Sequence, residues 1–454
     1  MEGITGYSMK RLLSYLGKYK ILAVLAPAFK MLEAVFELII PLIVAEMIDK
    51  GIPSEDGGVI IRLGIIMVIL GIVGFICAVT AQYFSAKAAV CTARDMRLDL
   101  FRHIQSLSHR EIDSTGTATL ITRATNDITK VQNGINMFLR LFLRSPFIVA
   151  GAVIMAFTVD SSTARIFLIV VPLLFAVTFF ILLKTMPMHR QVQDKTDDLL
   201  LQTRENLSGV RVVRAFNRED EEYQTFRENA SALSREQLKT GFISSLLNPL
   251  TLVIVDLGIV FILKAGGARV DTGLLSRGQV VALVNYMSQI LVELIKFSNL
   301  VILLSRAMAS LKRICSVFDI RSSIKDPGNV PAGNSIPGHS DGLPVLSFRN
   351  VSFAYAGSGK EVLSDISFSA MPGGTLGVIG GTGSGKTTLI SLIPRFYDVS
   401  EGSVSVYGTD VRDIPLRQLR ELVAVVPQKS ALISGTVRSN MQWGDPKADR
   451  KSVV

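Results

Sequence analysis

The chain has 454 residues, 49% hydrophobic and only 19% charged, with a mean hydropathy of +0.41. That balance excludes an ordinary soluble domain and points to several membrane spans. The formal charge of +10 fits Lys- and Arg-rich cytoplasmic loops and gives no reason to invoke nucleic acid. Cys77, Cys91 and Cys315 are far apart and odd in number, and the four histidines are scattered. Neither a disulfide framework nor a zinc motif follows from them.

In chain order, residues 1–20 read as a short basic amphipathic lead on the cytoplasmic side, with no cleavable signal pattern. Apolar runs near 21–47, 59–86, 136–158, 164–184, 246–264 and 279–304 are each long enough to span a bilayer, which predicts six spans. Glu33 and Glu37 interrupt the first run on one helical face, and Pro41 is a candidate kink. The short loop around Glu55 is poor in Lys and Arg and is expected outside, as is the tight connection VDSSTAR around Ser161. Residues 87–130 carry Arg94, Arg97, Arg102, Arg110 and Arg123, which places them in the cytoplasm. The segment 185–245 mixes charges with regular apolar positions and predicts long helices continuing out of the bilayer. Lys264, Arg269 and Arg277 depart from the positive-inside pattern, because six spans put their loop outside near Asp271. Arg306, Lys312 and Arg313 return the chain to the cytoplasm, so both termini are expected there.

The resulting organisation is an all-α membrane domain over 1–315, a Gly/Pro/Ser/Asn-rich linker over 316–344 and an α/β domain over 345–454. Strands are predicted at Val345–Tyr355, Glu361–Ser369, Thr375–Ile379, Gly402–Tyr407 and Leu422–Val426. The most specific stretch is LGVIGGTGSGKTTL at 376–389. An apolar run ends in Gly380, Gly381, Thr382, Gly383, Ser384 and Gly385, followed by Lys386, Thr387 and Thr388, which fits the phosphate-binding pattern G-x-x-x-x-G-K-[ST]. Glycines allow a tight turn whose backbone N–H groups face an anion. Lys386 is expected to reach the β- and γ-phosphates of ATP, and Thr387 to take a Mg²⁺ position. A helix is predicted from Lys386 to about Phe396.

Six apolar runs, the phosphate loop, ENLSGVRVVRAFNRE and VVPQKSALISGTVRSN together resemble the ATP-binding cassette exporters. The likeness is to half-transporters, in which a six-span membrane domain precedes an α/β nucleotide-binding domain of the phosphate-loop class. It covers residues 10–445. It implies that Tyr355 stacks on adenine and that Gln428 senses Mg²⁺ and the γ-phosphate, with Lys386 and Gln428 acting in ATP turnover. It also implies coupling helices near Leu107–Thr117 and Arg211–Glu222. A second half-transporter, identical or related, is the implied partner in a bacterial cell membrane, and the function is ATP-driven export of an unidentified substrate.

The resemblance also implies an LSGGQ-like signature, a catalytic Glu and a switch His beyond Asn440. The fourteen residues that follow have no counterpart to these. The expectation is a C-terminally truncated, hydrolysis-incompetent nucleotide domain, which leaves the enzyme assignment open. A nucleotide-regulated or channel-like membrane protein is the reading from another class. Substrate is not legible. Asp256, Glu293 and Lys296 are ionisable residues within apolar runs and hence candidates for a substrate pathway, although Glu293 and Lys296 are spaced to pair with each other.

Overall fold

The computed structural model describes residues 2–53, 57–328, 343–428 and 432–444. The expected external position of Glu55, residues 329–342 of the expected linker over 316–344, and the tail from 445 lie outside those residues. The described residues form two compact units, one drawn from 1–102 and 121–318 and the other from 103–120 and 319 onward.

The first unit is helical. After α1 (Glu2–Gly17), α2 (Lys20–Glu46) closes in a π-helical turn, Met47–Gly51. The long α3 (Gly57–Ser106) continues past the apolar run without a break. The short helices α4 (His109–Thr115) and α5 (Thr117–Thr122) follow, and then α6 (Ile128–Leu141) and α7 (Arg144–Val159). The latter two divide the third predicted span at Phe142 and Leu143. Next come α8 (Ser161–Ser208), α9 (Val210–Ala215), α10 (Glu219–Ser245), α11 (Leu247–Asp271) and α12 (Arg277–Phe318).

Five helical segments are long and apolar enough to cross a membrane, so the chain is a multi-pass membrane protein with a mostly α-helical membrane domain. The expected first span, α2, is not among them. Lys30, Glu33 and Glu37 lie in its middle and lower its apolarity. Those charges are paired: Lys30 Nζ is 2.5 Å from Glu33, and Arg144 is 2.5 Å from Glu37.

The core of this unit packs α2, α7, α8, α11 and α12 around Ala34, Ile148, Phe167, Leu174, Tyr286 and Met287. Small residues on α7 and α2 let the backbones approach closely, as in membrane helix packing. Tyr286 is fully buried and donates its hydroxyl to the carbonyl of Leu38 at 2.7 Å. At the start of α12, about two turns before Tyr286, the Gly278 N–H donates to Asp49 at 2.8 Å. A Cβ on Gly278 would sit 2.1 Å from the carbonyl oxygen of Ala45, so only glycine fits there. The tight connection between α7 and α8 turns on Asp160, which accepts from the Thr163 N–H at 2.9 Å and caps α8. Asp160 also takes Arg269 at 3.0 Å. One of the three basic residues that depart from the positive-inside pattern is thus locally neutralised. By contrast α3 exposes Ile65, Ile69, Ile72, Phe75 and Ile76. Apolar residues in water-free surroundings need no polar cover, so this surface suits lipid or another apolar protein face.

The second unit is mixed α/β. Four strands, β1 (Leu346–Phe353), β2 (Leu363–Ala370), β3 (Glu401–Val406) and β4 (Thr409–Asp410), form one sheet in the order β2-β1-β3-β4. Every pairing is antiparallel. Phe348 stands opposite Phe368 with ring centroids 4.6 Å apart. The core beneath includes Val351, Phe353, Leu363, Leu389, Leu392 and Leu419. The helices are α13 (Lys386–Leu392), α14 (Leu416–Leu422) and α15 (Val437–Met441).

Two predicted strands are corrected. Thr375–Ile379 and Leu422–Val426 are not strands here: Leu422 ends α14, and the other residues form no ladder. Their apolar runs promise burial, but a strand exists only through a ladder partner, and among the described residues neither has one. Ile379 is 99% and Val426 95% exposed. The helix expected to reach Phe396 ends at Leu392, two residues before Pro394, which cannot continue it.

Candidate nucleotide-binding site

The chain leaves β2 and passes through the exposed stretch 372–384 into α13. Gly383 and Gly385 adopt left-handed φ angles of 83° and 86°. A Cβ on Gly385 would lie 3.0 Å from the carbonyl oxygen of Val362, so its φ and its surroundings both demand glycine. These two glycines turn the loop back on itself. The Ser384 N–H donates to the Gly381 carbonyl at 3.3 Å.

Lys386 closes the loop. Its ammonium donates to the carbonyls of Gly380 at 2.8 Å and Gly381 at 2.6 Å, and to Ser384 Oγ at 3.2 Å. A three-donor cation is therefore held over the concave backbone where a phosphate would seat, and a phosphate can take over those donors. Thr387 is exposed beside it, while Thr388 is buried. The residues present thus fit a nucleotide phosphate: small residues, a positive charge and an accessible hydroxyl. Gly380, Gly381, Thr382, Gly383 and Ser384 are all exposed, so the cradle opens to solvent.

Tyr355 is brought to the same helix. Its hydroxyl lies 3.0 Å from Thr388 Oγ1, and its ring packs edge-on to Phe353 at 4.9 Å and Tyr397 at 5.4 Å. Tyr355 also lines a cavity of about 290 Å³ with Phe353, Tyr397, Asp398, Arg110 and Asp113. Gln428, by contrast, is exposed after α14, and no hydrogen bond joins it to the phosphate loop among the described residues. The structure therefore ties Tyr355 to Thr388 at the start of α13 and Lys386 to the loop 380–384.

The resemblance implied a coupling helix near Leu107–Thr117 but not the residues it meets. The segment 103–120 belongs to this unit, and α4 packs on the residues after α13. His109 stacks on Phe396 at 4.6 Å, Asp113 accepts from the Tyr397 hydroxyl, and Arg420 lies 5.5 Å from the Phe396 ring centroid. The adjacent aromatics Phe396 and Tyr397, just past the phosphate-loop helix, were the available signal. Burial pushes the His109 imidazole below its ordinary value; Asp113 opposes this and Arg420 adds to it. The docked ring is the neutral one. Its contribution is complete above the ordinary pKa of about 6.5 and falls as pH drops through that value. Protection factors of the α4 amides, taken relative to the intrinsic exchange rate at each pH, are expected to fall from about pH 7 to about pH 5.5. That fall should be absent in His109→Phe; an equal fall in the variant would assign it to another group.

The membrane helices and the phosphate loop each match a family model: ABC transporter transmembrane region over residues 23–294, and ABC transporter over residues 363–453. The chain belongs to the ABC transporter family. It carries fused transmembrane and ATP-binding domains, and the family's activity is nucleotide-dependent transport. An ABC transporter ATP-binding protein of Mycobacterium tuberculosis is 34% identical over 429 residues, covering 94% of this chain and 72% of the relative. One of Bacillus subtilis is 32% identical over 447 residues, 98% of this chain and 76% of the relative. An ATP-dependent lipid A-core flippase of Desulfotalea psychrophila is 27% identical over 413 residues, 90% of this chain and 70% of that protein. The relatives are bacterial, and the chain is read as a bacterial multi-pass membrane protein of this family.

The candidate pathway residues separate. Asp256 is exposed on α11. Lys296 pairs with Glu293 at 2.8 Å, as their spacing allowed. The larger arrangement around them was missed: Arg144 and Ser145 of α7 also reach Glu293, at 2.7 and 2.9 Å. An arginine inside the third apolar run was the signal.

Proposed function

We propose that this chain is one half of a dimeric exporter that binds ATP with Mg²⁺ and uses it to move a substrate outward. The observation that carries the reading is the closed phosphate loop around Lys386, on the same chain as the apolar helices. In this reading Lys386 and the backbone of residues 380–385 hold the phosphates. Thr387 and Gln428 hold Mg²⁺, which would supply charge neutralisation at the phosphates. Tyr355 presents its ring to adenine.

Six spans follow if α2 crosses as well, since its charges have partners and need not face hydrocarbon. Both termini are then cytoplasmic. Maleimide should label Cys at Ser161→Cys from outside, and protection there with labelling at Gly209→Cys would reverse the orientation. The helices α4 and α9 are the coupling elements, the membrane domain ends near residue 315, and the partner is a second copy or a related half. Asp256, Glu293 and Lys296 border the path of the cargo.

The nucleotide assignment is tested with a fluorescent ATP analogue on the purified chain. Tyr355→Ala should weaken binding by about five- to ten-fold, the scale of one stacking contact. Displacement of the analogue should favour ATP over tripolyphosphate in the wild type only. Equal displacement by both in the wild type would show that no base is recognised.

A further inference from the structure

Four charges run as one line across three helices of the membrane domain. The Glu37 carboxylate of α2 meets the Arg144 guanidinium of α7 at 2.5 Å. Arg144 meets Glu293 of α12 at 2.7 Å, and Glu293 meets Lys296 at 2.8 Å. Along this line the order is acid, base, acid, base; the Lys30–Glu33 pair flanks it, with Glu33 4.0 Å from Arg144. Burial divides the line. The Arg144 and Glu293 side chains are 7% and 1% exposed, whereas those of Glu37 and Lys296 are 38% and 43% exposed. A purely structural clamp needs only the buried middle pair. Here each end instead presents an accessible charge, a carboxylate at one and an ammonium at the other.

Charges on membrane-embedded helices do not face hydrocarbon; they face water, protein or a polar ligand. Extending the alternation of this line requires a cation at Glu37 and an anion at Lys296. A purely anionic ligand is repelled at Glu37 and a purely cationic one at Lys296. An exposed apolar residue stands one turn before the ammonium, and the polar Asn299 is exposed one turn after it. Val292, one turn before Lys296 on the same face of α12, is 49% exposed. Polar capacity is also unspent nearby: Arg144 Nε and Gln289 Oε1 are buried without a hydrogen-bond partner among the described residues.

We propose that Glu37 and Lys296 are the two poles of a binding site for a zwitterionic amphiphile. Its ammonium seats on Glu37, its phosphate or carboxylate on Lys296, and its tail runs along the Val292 face. Arg144 and Glu293 are positioning residues that hold the poles apart. The inference rests on the reading of the chain as a transporter and names the class of its cargo.

The test uses binding without nucleotide, so it is independent of any failure in ATP use. Delipidated full-length protein is incubated with an equimolar mixture of lysophosphatidylethanolamine, lysophosphatidylglycerol and a single-chain quaternary ammonium of equal chain length. Retained amphiphile is quantified by mass spectrometry as a ratio, which does not depend on the folded fraction. The zwitterion should be enriched about ten-fold over both others. Lys296→Met should shift the preference to the cationic amphiphile, and Glu37→Gln to the anionic one. Retention in the mixing ratio, or preferences unchanged in both variants, would overturn the site. Displacement by tailless O-phosphoethanolamine at the concentration of the lysolipid would overturn the amphiphile and leave a soluble zwitterion as the ligand.

Discussion

Arg144→Met is expected to destabilise the membrane domain by about 3–5 kcal/mol, the cost of stranding a buried ionic partner. Arg144 bridges α2 to α12 through Glu37 and Glu293, and Glu33 lies 4.0 Å away. The carboxylate most affected is Glu293. It keeps Ser145 at 2.9 Å and Lys296 at 2.8 Å but loses its buried cation. Methionine matches the length of the stem, so a cavity explains little of the loss. The double variant Arg144→Met with Glu293→Gln removes the stranded charge and should recover more than half of the lost stability. Thermal unfolding of the purified protein, followed by tryptophan-independent light scattering and helix content, measures both. A single variant that melts with the wild type, or a double variant worse than the single, would show that the line of charges does not support the fold.

Lys386→Ala is expected to lower nucleotide affinity about ten- to hundred-fold, the range of one to two charge-assisted hydrogen bonds. Two effects add. The phosphates lose a cation, and the loop loses the donor that ties the carbonyls of Gly380 and Gly381 together. The loss should exceed that of Tyr355→Ala, because stacking is weaker than neutralising a phosphate charge. It should also appear equally for ATP and for tripolyphosphate, whereas the Tyr355→Ala loss should appear for ATP alone. Titration of the fluorescent analogue against each competitor reads both. Wild-type affinity in Lys386→Ala would place the nucleotide elsewhere.

These two sites differ in how far the sequence could lead to them. The phosphate loop was legible because its chemistry is local. Glycine spacing sets backbone angles, and Lys386 bonds to carbonyls only five and six residues away. The apolar runs were legible for a similar reason: composition along one helix decides whether it tolerates a bilayer. The tight turn at VDSSTAR and the long helices past the bilayer followed from the same local signals.

Tertiary structure alone decided the pairings. Arg144 and Glu293 are 149 residues apart, and no periodicity along either helix names the other. The charges in α2 look like defects in a span until α7 supplies their counter-ion. Arg269 looks misplaced until Asp160 meets it. Thr375–Ile379 carries the composition of a strand, yet a ladder needs a neighbour that composition does not supply. The resemblance placed a coupling helix near Leu107–Thr117, but that His109 and Asp113 find their partners at Phe396 and Tyr397 was visible only in the structure. The sequence by itself determined which long segments are helical, five of the six apolar runs able to cross a membrane, and which loop carries the phosphate-binding pattern. Which charges meet, and hence where the membrane domain presents a polar site, was decided only when distant helices packed, because electrostatic pairing depends on separation in space.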